Sequence, residues 1–124
     1  MKKKNAMIWL AVIIIAIGLI GWGVWHSVQP GELDSFAQCL SDSDAIFYGA
    51  FWCSHCQNQK ALFGKSERLL PYIECSTPDG RGMIPSCQEK GVKGYPTWVF
   101  ADSSKLEGEV ALDTLAEKTG CALP

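Results

Sequence analysis

From Ala6 to Trp25 the chain runs for 20 residues without a charge, 17 of them apolar and three glycine. As a helix rising 1.5 Å per residue, such a run spans about 30 Å, the thickness of a bilayer's hydrocarbon core. A helix that is apolar on every side has no polar face to offer water, so it demands an apolar environment of its own. Lys2, Lys3 and Lys4 precede it, and basic residues hold their flank on the cytoplasmic side of a membrane. Trp9, Trp22 and Trp25 stand near its ends, where indoles favour the interface. A cleaved signal would have a shorter apolar core and a small-x-small exit, which Trp22, Trp25 and His26 do not offer. The expectation is a basic cytoplasmic flank (residues 1–5), one uncleaved transmembrane anchor in the lipid bilayer of the cell (inner) membrane (6–25), a short linker (26–31) and a domain (32–124). That domain then lies in the periplasm or outside the cell.

The chain carries 11 Lys and Arg and 13 Asp and Glu. Three of the lysines precede the apolar run, which leaves 8 basic against 13 acidic side chains beyond it. A domain of that sign has no electrostatic footprint for nucleic acid. Six cysteines in a small domain point to disulfides, a metal site or a redox motif. An extracytoplasmic location permits the disulfides.

Hydrophobic periodicity orders the remainder. Leu33, Phe36, Ala37 and Leu40 recur at helical spacing, Ala45–Ala50 is a short apolar run suited to a buried strand, and 57–70 reads as helix with a break at Gly64. Tyr72–Glu74 is a second strand, and 76–82 (STPDGRG) is a loop by composition. A short helix over 85–90 ends at Gly91, a third strand covers 97–101, a turn follows at 102–104 and a fourth strand covers 105–107. Leu112, Leu115 and Ala116 mark a last helix stopped by Gly120. Strands joined by a helix are expected to be parallel, with a right-handed crossover; those joined by a tight turn are expected to be antiparallel. The expected fold class is α/β, a four-stranded mixed sheet with helices on both faces.

Between the first strand and the second helix lies Cys53-Ser54-His55-Cys56. This placement puts Cys53 at a helix N-terminus, where unpaired amides and a partial charge of about +0.5 favour thiolate over thiol. Cys56 lies one turn further in and can close a disulfide with little movement. His55, when protonated, would add to thiolate stabilisation, donating a hydrogen bond or a positive charge toward Cys53. A nucleophilic thiolate beside a resolving thiol is the machinery of thiol–disulfide exchange. A zinc site would need Cys53, Cys56 and two further ligands, with Cys75 and Cys87 as the candidates. Their spacing does not match the close second pair of a zinc ribbon, and no metal and no cofactor is expected.

The chain resembles the thioredoxin superfamily in Tyr48-Gly49-Ala50-Phe51-Trp52-Cys53-Ser54-His55-Cys56 and, 39 residues after Cys56, in Tyr95-Pro96-Thr97. More narrowly, Ala50-Phe51-Trp52 before the motif is similar to the thioredoxin-like domains attached to bacterial vitamin K epoxide reductase homologues. So are Gln59-Lys60, Leu62-Phe63-Gly64, Glu74-Cys75 and Tyr95-Pro96-Thr97-Trp98-Val99. The resemblance implies a thioredoxin-like fold and a disulfide oxidoreductase that passes oxidising equivalents from such a polytopic membrane enzyme to secreted protein thiols. It further implies a cis bond before Pro96, with Tyr95, Pro96 and Trp52 shaping a peptide groove beside the cysteines. Running the same chemistry backwards, as a reductant of the cytochrome-maturation type, is the alternative, and a metal-handling module is the rival from another class. One position departs from the superfamily. Thioredoxins carry a buried acid six residues before the first motif cysteine, and Phe47 stands there, so what deprotonates Cys56 is left open between solvent and His55.

Strand direction then suggests how the other cysteines pair. Two parallel strands end at the pole that holds the motif, which places Cys75 there, and Cys87 at the start of the short helix returns to it. A Cys75–Cys87 bond would close an otherwise flexible loop. Cys39 and Cys121, each at the end of a helix, belong to the opposite pole. A Cys39–Cys121 bond is expected, with two free thiols as the alternative.

Overall fold

The computed structural model describes residues 2–124, which divide into two compact units, one up to Pro30 and the other Gly31–Pro124. The first unit is essentially one helix, α1 (Lys2–Ser27). It is the single helix among the described residues that is long and apolar enough to cross a membrane, and none of its most apolar stretch is buried by protein.

The second unit begins with α2 (Asp34–Asp42), which buries Phe36, Ala37 and Leu40. It continues through β1 (Ile46–Gly49), α3 (Ser54–Ala61), a 3₁₀ segment (Gly64–Leu69), β2 (Tyr72–Glu74), α4 (Pro85–Glu89), β3 (Thr97–Val99), β4 (Lys105–Glu107) and α5 (Leu112–Thr119). The sheet order is β2-β1-β3-β4. β1 and β2 are parallel, while β3 is antiparallel to β1 and β4 antiparallel to β3. The helix rule therefore holds for the first pair and not for β3. The reason is the length of α4. Five residues rise only about 7.5 Å, and the Cys75–Cys87 bond ties α4 to the end of β2. The chain consequently enters β3 from the pole where β2 left off.

Successive strand residues face opposite sides of a sheet, and the two cores follow that alternation. Phe47 and Trp98, paired across β1 and β3, face the larger core with Phe36, Leu40, Phe63, Phe100 and Leu115. Tyr48 faces the smaller one with Cys75, Cys87 and Val92, closed by Ile73 and Ile84. Helices thus cover both faces, α4 alone on the small side.

Boundaries depart from the periodic reading at several element ends: β1 and β3 are shorter than their apolar runs, and α3 starts at Ser54 rather than 57 because Cys53 caps it. The break expected at Gly64 is present, its φ of +51° ending the α-helical path. Gly120 takes φ +74° and closes α5, its amide donating to the Ala116 carbonyl.

Candidate active site

Cys53 is the N-cap of α3, with extended backbone (φ −80°, ψ 112°), and its Sγ accepts a hydrogen bond from the Cys56 amide at 3.2 Å. Ser54 and His55 form the exposed first turn. Cys56 is fully buried, and its thiol points at Cys53 Sγ across 2.7 Å. Both are free cysteines. Burial pushes the Cys56 thiol up to about 12, and its bond to Cys53 pushes the same way. A thiol so placed is almost entirely protonated at neutral pH.

Cys53 opens onto a groove of about 380 Å³ lined by Trp52, Ser54, His55, Lys93, Gly94 and Tyr95. The Tyr95–Pro96 peptide is cis, and Pro96 is buried beneath the groove wall. Trp52 is about half exposed (55%). Its indole meets Tyr95 edge-on at 5.8 Å, and its Nε1 donates to Ser76 Oγ at 2.9 Å. The 76–82 segment is a loop, as its composition indicates, and it is internally bonded. Thr77 closes it on itself: its amide donates to the Gly82 carbonyl, and its hydroxyl pairs with Asp79 Oδ1 at 2.6 Å. Gly80, at φ +72°, comes close enough that a Cβ would sit 3.4 Å from the Trp52 ring.

His55 differs from expectation. Its Nδ1 lies 2.6 Å from Glu109 Oε1, and that same oxygen accepts from Asn58 at 3.0 Å. The polar partner of the imidazole is thus a carboxylate on the segment after β4, not the sulfur of Cys53. The His55 and Asn58 bonds hold the Glu109 carboxyl below the ordinary range. Sequence reading passes over Glu109, because nothing local marks a residue 54 positions away as a neighbour.

Behind Cys56 lie groups from β2. Tyr72 donates from its hydroxyl to Glu74 Oε2 at 2.7 Å, and Glu74 Oε1 accepts from the Ser76 amide at 2.9 Å. Lys60 Nζ sits 3.6 Å above the centre of the Tyr72 ring. Burial and the bond to Glu74 push the Tyr72 phenol far up. One sequence signal does point here. Strand alternation puts Tyr72 and Glu74 on one face of β2, and the register sets them beside Phe47 and Gly49, on the matching face of β1.

The other cysteines pair as Cys75–Cys87 and Cys39–Cys121, and none of the four lines the groove. The two further thiolates that a zinc site would need are therefore joined to each other.

A mixed sheet of this order, with a Cys-x-x-Cys at a helix N-terminus beside Tyr95 and a cis Tyr95–Pro96 bond leading into β3, settles the architecture. The fold is thioredoxin-like. Among known proteins, no family model matches the chain. It is 43% identical, over 72% of its length, to a protein of Arabidopsis thaliana named thiol-disulfide oxidoreductase LTO1. The chain spans about a quarter (24%) of that relative's length.

Proposed function

We propose that this chain is a membrane-anchored, extracytoplasmic thiol–disulfide oxidoreductase that oxidises secreted protein thiols. The observation that carries the reading is the pair of sulfurs 2.7 Å apart, one capping α3 beside an open groove and the other buried behind it. In the oxidised form a substrate thiolate attacks Cys53. The Cys53–Cys56 bond breaks, Cys56 leaves with the electron pair and takes a proton, and a mixed disulfide forms at Cys53. A second substrate thiolate attacks the substrate sulfur of that bond, which releases a substrate disulfide and the Cys53 thiolate. Re-oxidation runs the other way. Cys53 attacks the disulfide of a membrane partner, and Cys56 then displaces the partner's sulfur, so two electrons pass to the partner. Trp52 and Tyr95 form the wall against which a peptide would lie, with Pro96 buried behind Tyr95.

The name of the relative supports the exchange chemistry. The similarity to domains attached to vitamin K epoxide reductase homologues supports an enzyme of that type as the partner. The exposed apolar α1, with lysines at its start, supports anchoring with the N-terminus in the cytoplasm. On this reading Cys75–Cys87 and Cys39–Cys121 are structural bonds, and Cys53–Cys56 is the only pair readily reduced.

Equilibration of the detergent-solubilised chain with glutathione tests the direction. A potential of roughly −220 to −120 mV is expected, well above the value near −270 mV of thioredoxin itself. A potential at or below about −260 mV would make the protein a reductant. Trapping tests the roles: Cys56→Ser should accumulate mixed disulfides at Cys53, and Cys53→Ser should accumulate none. Adducts at Cys56 in the Cys53→Ser protein would overturn the assignment.

A further inference from the structure

The exchange reading leaves one proton unaccounted for. Cys56 is fully buried, so solvent does not reach its thiol, yet it must lose a proton to attack and regain one when it leaves. Position 47, where thioredoxins carry an acid, is a phenylalanine stacked on Trp98 at 5.1 Å and met edge-on by Tyr72 at 5.1 Å. No carboxylate approaches from β1. His55 is committed to Glu109 and is 70% exposed.

β2 supplies what β1 lacks. A Cβ built on Gly49 would lie 3.1 Å from Cys56 Sγ, 3.3 Å from the Tyr72 hydroxyl and 2.7 Å from the Tyr72 ring. The sulfur and the hydroxyl therefore both border the small space that a methyl group at position 49 would fill, and glycine there keeps that space open. The hydroxyl is already bonded to a carboxylate, Glu74. We propose that Tyr72 and Glu74 are the proton relay of Cys56, an inference that rests on the exchange reading above.

As Cys56 attacks, its sulfur forms the bond to Cys53 while the bond from Cys53 to the partner's sulfur breaks. That sulfur departs as thiolate with the electron pair. The Cys56 proton passes to the Tyr72 oxygen as the phenolic proton passes to Glu74 Oε2. Tyr72 never becomes an anion, which suits a phenol that its surroundings keep protonated. Lys60, over the Tyr72 ring, offsets the negative charge on sulfur in the meantime. When Cys56 leaves in the opposite half-reaction, Glu74 returns the proton by the same path.

The test uses the reduced full-length chain in detergent and a chromogenic aryl disulfide. Cys53 attack releases one aryl thiolate, and resolution by Cys56 releases a second. Wild type, Tyr72→Phe and Glu74→Gln are compared as pH is raised; the glutamine retains an oxygen for the Ser76 amide. The titratable groups facing Cys56 are Cys53 at the cap of α3, Lys60 on α3, Tyr72 on β2 and Tyr95 ahead of β3, with Glu74 behind Tyr72. The first release should proceed in all three proteins. The second should slow at least about tenfold in both variants at neutral pH, as expected when a positioned acid–base group is removed. That deficit should close as hydroxide takes over at higher pH, and the double variant should be no slower than either single one. Equal second-phase rates, or a slowing of the same size at every pH, would overturn the relay. A wild-type protein without a second release would instead remove the exchange reading itself.

Discussion

The two disulfides outside the groove differ in what they close, and that difference sets their expected contribution to stability. Cys39–Cys121 joins residues 82 apart, and Cys75–Cys87 joins residues 12 apart. In the chain-entropy treatment the longer loop is worth about 4.5 kcal/mol and the shorter about 2.8 kcal/mol. Replacing each pair by alanines also removes buried sulfur. This second cost is larger at Cys75 and Cys87, both fully buried between Tyr48 and Val92, than at the other pair, where Cys121 is buried but Cys39 is only partly so. It narrows the gap of about 1.7 kcal/mol without reversing it. A domain of this size is stable by about 5–15 kcal/mol, so losing the long-range bond removes at least about 30% of the total. Guanidinium unfolding of the detergent-solubilised chain, followed by circular dichroism and extrapolated linearly, reads both losses. The Cys39→Ala/Cys121→Ala protein should be the less stable of the two, with its Cys53–Cys56 potential unchanged. If the Cys75→Ala/Cys87→Ala protein loses more, loop length does not govern these bonds and the entropic reasoning fails.

Gln59 is fully buried and makes two bonds to one residue, donating to the Val110 carbonyl at 3.0 Å and accepting from its amide at 2.6 Å. Gln59→Leu should cost about 2–4 kcal/mol, because it strands both backbone groups in the core; a loss under about 0.5 kcal/mol in the same unfolding assay would contradict this. Arg68 grips the Asp34 carboxylate with both terminal nitrogens and holds that carboxyl well below its ordinary value of 3.8. A depressed folded value contributes stability above the ordinary one and loses it as pH falls through the folded one. Arg68→Gln should therefore be less stable than wild type at neutral pH, with the gap closing in acid. A gap that does not narrow as pH falls below the ordinary value of 3.8 would show that the pair acts through packing rather than charge.

The fold was legible wherever local pattern and global placement agree. The apolar run of α1, the helical spacing of Phe36, Ala37 and Leu40, and the short apolar strand ending at Gly49 each carry their own periodicity. Gly91 and Gly120, both at positive φ, mark helix ends by the same logic. Cys53 and Cys56 were legible because a helix N-terminus is itself a chemical environment. Sidedness across the sheet was harder. That β3 runs against β1 depends on the brevity of α4 and on a disulfide, and neither has a periodic signature. The partner of His55 was invisible for a related reason: Glu109 reaches it only after β4 has turned the chain back. Gln59 looks like an ordinary exposed helix residue until the segment after β4 is laid over it.

Phenylalanine at position 47 ties these observations together. An acid on that face of β1 would have to be paired or desolvated among Trp98, Phe63 and Phe36, at a cost of several kcal/mol for an unpaired charge. With Phe47 the aromatic stack runs unbroken from α2 to the back of Cys56. That continuity strengthens the core and excludes water from the thiol, and the exclusion makes Cys56 reluctant to ionise. The polar group has to come from an edge strand that can carry half-exposed side chains. β2 is such a strand: Tyr72, Ile73 and Glu74 are all partly exposed. Tyr72 spans the two environments, its ring packed on Phe47 and its hydroxyl directed to Glu74. Moving the acid outward by one strand keeps its charge partly solvated and leaves the phenol to carry the proton inward.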